Sequence, residues 1–159
     1  MTEAFDNPGK IAFRAASRDD LPAIVRMLAD DVLGKGRELP ADPLPPAYGD
    51  AFDRMAAQPG NYYLLAEIDG AIAGCLQITF IHGLSRAGMS RAQIEGVRVA
   101  ASHRGQGIGK ALFHEAIARS RAAGCGLVQL TTDKARADAR RFYEKLGFTA
   151  SHEGMKRNL

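Results

Sequence analysis

Between Ile94 and Ala111 the chain reads IEGVRVAASHRGQGIGKA, and few architectures accommodate such a run. Ile94, Val97 and Val99 are apolar, and the two valines are β-branched, so the segment opens as a strand. Ala100-Ala101-Ser102 reads as a small-residue turn. A glycine-dense loop follows, Arg104-Gly105-Gln106-Gly107-Ile108-Gly109, and it runs directly into a helical pattern. Glycines let the backbone approach a ligand closely, and the first N–H groups of a helix have no partner within it. Strand, loop and helix start therefore make a cradle suited to an anion.

The loop discriminates among anion-binding templates. A P-loop, G-x-x-x-x-G-K-[ST], fails twice, because Ala111 follows Gly109-Lys110 and Arg104 stands five before Gly109. A dinucleotide fingerprint, G-x-G-x-x-G, fails because its third glycine falls on Lys110. The pattern that fits is R-x-x-G-x-G, read as Arg104, Gly107 and Gly109. The plain alternative is a glycine turn without a ligand.

With 159 residues the chain suits one domain, 1–159, with residues 1–9 as a loose leader and Asn7-Pro8-Gly9 as a turn. The net charge of +3 is small and the basic residues are scattered, so nucleic acid is not an expected partner. Cys75 and Cys125 sit in apolar or small-residue runs and read as buried thiols rather than a disulfide framework. His82, His103, His114 and His152 lack metal-ligand spacing, so no metal is expected. No apolar run has membrane-spanning length, and the acidic N-terminus does not read as a signal peptide. The expected location is cytoplasmic.

Taken in order, Ile11 to Ala15 reads as a strand and residues 19–33 as an amphipathic helix, with Ser17 at its N-cap and Gly34 and Gly36 ending it. A proline-rich stretch, residues 37–46, leads to a second helix at about 47–57. Strands at Tyr62–Ile68 and Ala71–Ile81 flank an Asp69-Gly70 hairpin turn. After the central strand and glycine loop, a helix runs from Ile108 to near Ala123-Gly124. A β-run at Leu127–Thr132, a helix at Ala135–Leu146 and short strands at Phe148–Ala150 and Glu153–Lys156 complete the chain. The order β-α-α-β-β-β-α-β-α-β implies an α/β fold. Its central sheet is mixed and mostly antiparallel, with helices on both faces.

Two motifs together carry a family resemblance. The R-x-x-G-x-G loop resembles the pyrophosphate loop of the GNAT superfamily, N-acetyltransferases that use acetyl-coenzyme A. The run Ala139-Arg140-Arg141-Phe142-Tyr143-Glu144-Lys145-Leu146-Gly147-Phe148 is similar to that family's C-terminal motif, and it follows Arg104 in the family's order and spacing. The segment from Phe13 to Asp31 resembles the family's start, so the likeness covers nearly the whole chain.

The resemblance implies roles for particular residues. The backbone of Val97, Arg98 and Val99 would pair with the pantetheine arm of the coenzyme, which requires the strand after Leu127 to splay away. The amides of Arg104, Gly105, Gln106, Gly107, Ile108, Gly109 and Lys110 would hold the pyrophosphate. Tyr143 would act as acid toward the departing thiolate, although helical spacing alone reads it as core beside Phe142. Glu95 would serve as base, directly or through water, with a solvent-facing strand glutamate as the alternative. Glu38 and Asp31 are candidates for holding the acceptor. Where many relatives carry an asparagine seven residues before the tyrosine, this chain has Arg136.

The implied reaction is direct transfer to a primary amine, either a small molecule or an amino terminus, with a homodimer possible. A coenzyme A–binding sensor that has lost the chemistry is the alternative.

Overall fold

A computed structural model describes residues 10–159, so the expected leader and its Asn7-Pro8-Gly9 turn lie outside the described residues. Strands β1 (Ala12–Ala15), β2 (Asn61–Ile68), β3 (Ala71–Ile81), β4 (Arg91–Val99) and β5 (Leu127–Gln129) form one sheet in sequence order. The pairings from β1 to β4 are antiparallel, and β4 pairs β5 in parallel. Helices α1 (Leu21–Ala29) and α2 (Pro46–Ala56) precede β2. A single turn, α3 (Ser85–Gly88), joins β3 to β4, and α4 (Ile108–Ala122) and α5 (Ala137–Lys145) follow. The mixed, mostly antiparallel sheet with helices on both faces is the architecture that the element order implies.

Two apolar layers hold the sheet. On one face Leu64, Leu76, Ile78 and Ile94 pack against Ile108, Leu112, Phe113 and Ala116 of α4. On the other, Leu65 and Cys75 pack against Ile24 and Met27 of α1. Burial pushes the Cys75 thiol up to about 12, consistent with a small apolar core residue rather than a nucleophile. Asp69 and Gly70 both take positive φ, 51° and 78°, and close the β2–β3 hairpin as their sequence suggests.

A bulge in β4 sets which side chains face which layer. From the pair Gln77↔Glu95 to the pair Cys75↔Arg98, β3 advances two residues and β4 three. The extra residue is accommodated at Gly96, whose φ of +59° falls in the left-handed region that favours glycine. Ile94 before the bulge and Val97 and Val99 after it all pack on the α4 layer. Glu95 and Arg98 therefore share the opposite face, toward α1, although they are three residues apart.

Three expectations need correction. The helix expected over 19–33 is a 3-10 turn at Arg18–Asp20 followed by α1, which stops at Ala29. Asp30 leaves the helical region with ψ +48°. It bonds Arg104 at 3.0 Å, while Asp31 pairs with Arg98 at 2.8 Å. A continuing helix would turn these two neighbours about 100° apart. The long β-run at 127–132 is a strand only over Leu127–Gln129. No strand forms at 148–150 or 153–156: the Phe148 ring packs on Phe113 and its amide closes α5 on the Tyr143 carbonyl.

Candidate active site

The β4–β5 ladder pairs Arg91 with Leu127, Ala92 with Val128 and Gln93 with Gln129, and ends there. Beyond it the two strands fork, leaving the β5-side edge of residues 94–99 without a strand partner. The side chains of Gln129 and Gln93 bond across the fork at 2.7 Å. A bulged strand turns away from its straight course, so a straight β5 cannot follow β4 past Gly96.

A cleft of about 980 Å³ opens along this edge, large for a small-molecule site. Val97, Arg98 and Val99 form one wall, the loop from Arg104 to Lys110 closes one end, and the start of α5 with Phe142 and Tyr143 forms the other wall. Gly105 and Gly107 hold φ of +77° and +78°, and a Cβ at either would meet no protein atom within 4 Å. Gly107 caps α4, so the loop delivers the first amides of a 15-residue helix to the cleft.

The expected loop residues divide by role. Arg104 points back into the protein, donating from Nε to the Val99 carbonyl at 3.3 Å and from Nη2 to Asp30. Ile108 is 1% exposed, so its side chain is core and only its backbone is available. Gly109 and Lys110 line the cleft, whereas Gln106 does not and donates to the Ser102 carbonyl at 3.4 Å.

A second, wider cleft lies on the other side of Tyr143, walled by Arg91, Gln93 and Glu95 of β4, the segment after β5, and parts of α3 and α5. Val97, Arg98, Arg136 and Tyr143 belong to both clefts and so mark their junction. Tyr143 is fixed by aromatic packing, with ring centroids 5.5 Å from Phe113 and 5.5 Å from Phe142. Burial raises its phenol above the ordinary value, opposed by the nearby charges of Arg136 and Arg98. The phenol is therefore protonated at neutral pH and able to donate.

Glu95 is exposed and lines the second cleft. The two acceptor candidates from sequence lie outside both cleft walls. Asp31 is taken up by Arg98 and by the Gly34 amide, and Glu38 accepts from the Tyr48 hydroxyl at 2.7 Å. Sequence reasoning did not single out Tyr63, whose hydroxyl stands 3.0 Å from where a Gly96 Cβ would be. The signal was a glycine inside a strand pattern, which points to a close approach of another group. Among the described residues no cluster of three metal-binding side chains occurs, and no helix is long and apolar enough to cross a membrane.

Comparison with known proteins agrees with this arrangement. The sequence matches the Acetyltransferase (GNAT) family over residues 28–148. An aminoalkylphosphonate N-acetyltransferase of Salmonella typhimurium is 33% identical over 106 residues, 67% of this chain and 68% of that protein. A glucosamine 6-phosphate N-acetyltransferase of Trypanosoma brucei brucei is 37% identical over 90 residues, 57% of this chain and 59% of that protein. The crystal structure of a transcriptional regulator from Bacillus halodurans superposes with a TM-score of 0.90 at 49% identity, covering 94% of this chain and all of that one. A forked central strand, a glycine-capped helix and a family match across both motifs lead to one assignment: the chain belongs to the GNAT family of acetyltransferases.

Proposed function

We propose that the protein transfers the acetyl group of acetyl-coenzyme A to a primary amine, with donor and acceptor bound together. The observation that carries this reading is the fork after Gln93 and Gln129. It leaves strand-edge backbone open beside a glycine loop and helix start that suit a diphosphate. The open space at Gly105 and Gly107 is where the pyrophosphate fits, and the edge at 97–99 is where the pantetheine arm fits.

The coenzyme supplies an activated thioester. The residues of the chain supply proton management and orientation. Glu95, in the second cleft, removes a proton from the incoming ammonium directly or through water, which frees the nitrogen lone pair for attack. As the carbon–sulfur bond breaks, the Tyr143 hydroxyl at the junction gives its proton to the departing sulfur. The nitrogen, once joined to the acyl carbon, sheds its second proton to water as it becomes the amide, and solvent supplies a fresh proton to the phenolate. The named relatives act on an aminoalkylphosphonate and on glucosamine 6-phosphate, which supports an amine as acceptor here.

Calorimetric titration with acetyl-coenzyme A, followed by thiol release against an amine panel, tests the reading. Binding in the micromolar range and amine-dependent thiol release are expected. No binding at high micromolar concentration overturns it. Binding without transfer to any amine favours the alternative, a coenzyme A–responsive regulatory domain, for which the likeness to the Bacillus halodurans transcriptional regulator is the supporting observation.

A further inference from the structure

Before the bulge, β4 alternates strictly. Ala92 and Ile94 are buried at 0% and 2% exposure, while Arg91, Gln93 and Glu95 project to the opposite face and line the second cleft. Arg91 opens β4 at the end of the sheet, paired with Ile81, the last residue of β3, on one side and Leu127, the first of β5, on the other. It is half-buried there. Among the described residues its guanidinium has no hydrogen-bond or carboxylate partner. Its nitrogens are open to the cleft and uncommitted, so the guanidinium is free to take an anion from outside by charge-assisted, bidentate hydrogen bonds.

Other charges of the same cleft point the same way. Arg98, Lys134 and Arg140 are already paired, with Asp31, Glu153 and Glu144 respectively. Arg86 and Arg91 are among the cations left unpaired within the described residues, and Glu95 is an unpaired carboxylate of the same wall. Arg86 sits in α3, where it and Ala87 hold left-handed φ of 55° and 57°. Non-glycine residues in that region carry strain and concentrate at binding sites.

From this placement we infer that the acceptor is an amine bearing a phosphate or phosphonate at the far end of a short chain or ring, its anion held by Arg91 with Arg86 and its nitrogen at Glu95. The inference rests on the acetyltransferase reading above and adds the acceptor's second charge. Strand geometry sets the separation. Four residues of β4 place the Cα atoms of Arg91 and Glu95 about 13 Å apart at roughly 3.3 Å per residue. The Arg91 guanidinium extends beyond the end of the ladder, with Nη1 3.8 Å from where a Gly83 Cβ would stand. An α-amino acid, with its two charges one carbon apart, reaches only one of these ends. Gln93 lies between them, its own amide tied to Gln129.

The test compares 4-aminobutyl phosphate with 4-aminobutanol, both by calorimetric binding to the full chain and by thiol release with acetyl-coenzyme A. The phosphate is expected to bind at least about tenfold more tightly, the range of one charge-assisted contact, with the ratio shrinking as salt rises. Arg91→Ala is expected to bring the ratio close to one and Arg91→Lys to retain part of it. Arg91→Gln, with a thermal melt, separates loss of the contact from loss of fold. Equal affinity for the two compounds, or a ratio that survives Arg91→Ala in a folded protein, overturns the inference. Failure of acetyl-coenzyme A to bind refutes the transfer reading instead, and the binding comparison still decides this one.

Discussion

The Asp31 carboxylate meets the Arg98 guanidinium at 2.8 Å, tying the segment just past α1 to the far side of the β4 bulge. Both side chains are about one-fifth exposed, so neither charge is well served by water once the other is gone. Arg98 also donates from Nη1 to the Val97 carbonyl at 2.8 Å, beside the edge proposed to receive the coenzyme. Asp31→Ala is expected to lower unfolding free energy by about 1–3 kcal/mol, the cost of stranding a partly buried charge. Denaturant titration measures it. Coenzyme affinity should fall as well, because the wall loses its brace. A variant with wild-type stability and affinity would show the pair to be incidental.

Tyr143→Phe removes one hydroxyl and keeps the ring contacts with Phe113 and Phe142. Turnover is expected to drop on the order of 10²-fold, at the lower end for loss of a general acid. Coenzyme affinity by calorimetry should stay within about twofold. Unchanged turnover would leave Tyr143 as packing alone.

Much of the fold was legible because local signals agree with tertiary demands. The Asp69-Gly70 turn, the β3 strand and the glycine cap of α4 lie where residue chemistry alone puts them. The failures are tertiary. Leu28 and Val32 keep helical spacing, yet Val32 is 95% exposed, because Asp30 and Asp31 are drawn to two different arginines. Nothing in Leu127–Thr132 records that β4 turns away, so its last three residues lose a ladder that the sequence itself still suits. The candidate site shows the same division. Motifs marked the loop and Tyr143, and the family resemblance with strand alternation marked Glu95, while Arg91 and Gln93 beside it needed the register of the sheet.

Acid tolerance should depend on Asp20. Its carboxylate accepts from Arg14 at 2.7 and 2.9 Å and from the Ser17 amide at 2.7 Å. The Arg14 contact, opposed by burial, lowers its pKa to about 2 from an ordinary 3.8. The folded-state value is depressed, so this contribution is fully present above the unfolded-state pKa and is lost as pH falls toward the folded-state value. Unfolding free energy should therefore decline between about pH 4 and pH 2. In Arg14→Gln that decline should be shallower and the plateau at neutral pH lower. Parallel curves for the two proteins would assign the acid sensitivity to other carboxylates.

Gly107 tests the cradle directly. Its φ of +78° strains a β-branched residue, and the space beyond its missing Cβ holds no protein atom within 4 Å. Gly107→Val places bulk in that space at a conformational cost of about 1–3 kcal/mol. Gly107→Asn places a side chain there with little strain, since asparagine tolerates the left-handed region. If the space receives a diphosphate, both variants lose coenzyme binding by about tenfold or more, while only the valine lowers the melting temperature clearly. If the space is merely a turn, affinity follows stability, and the asparagine variant binds like the wild type. Measuring Kd and melting temperature on the same two proteins separates a filled cradle from a strained turn.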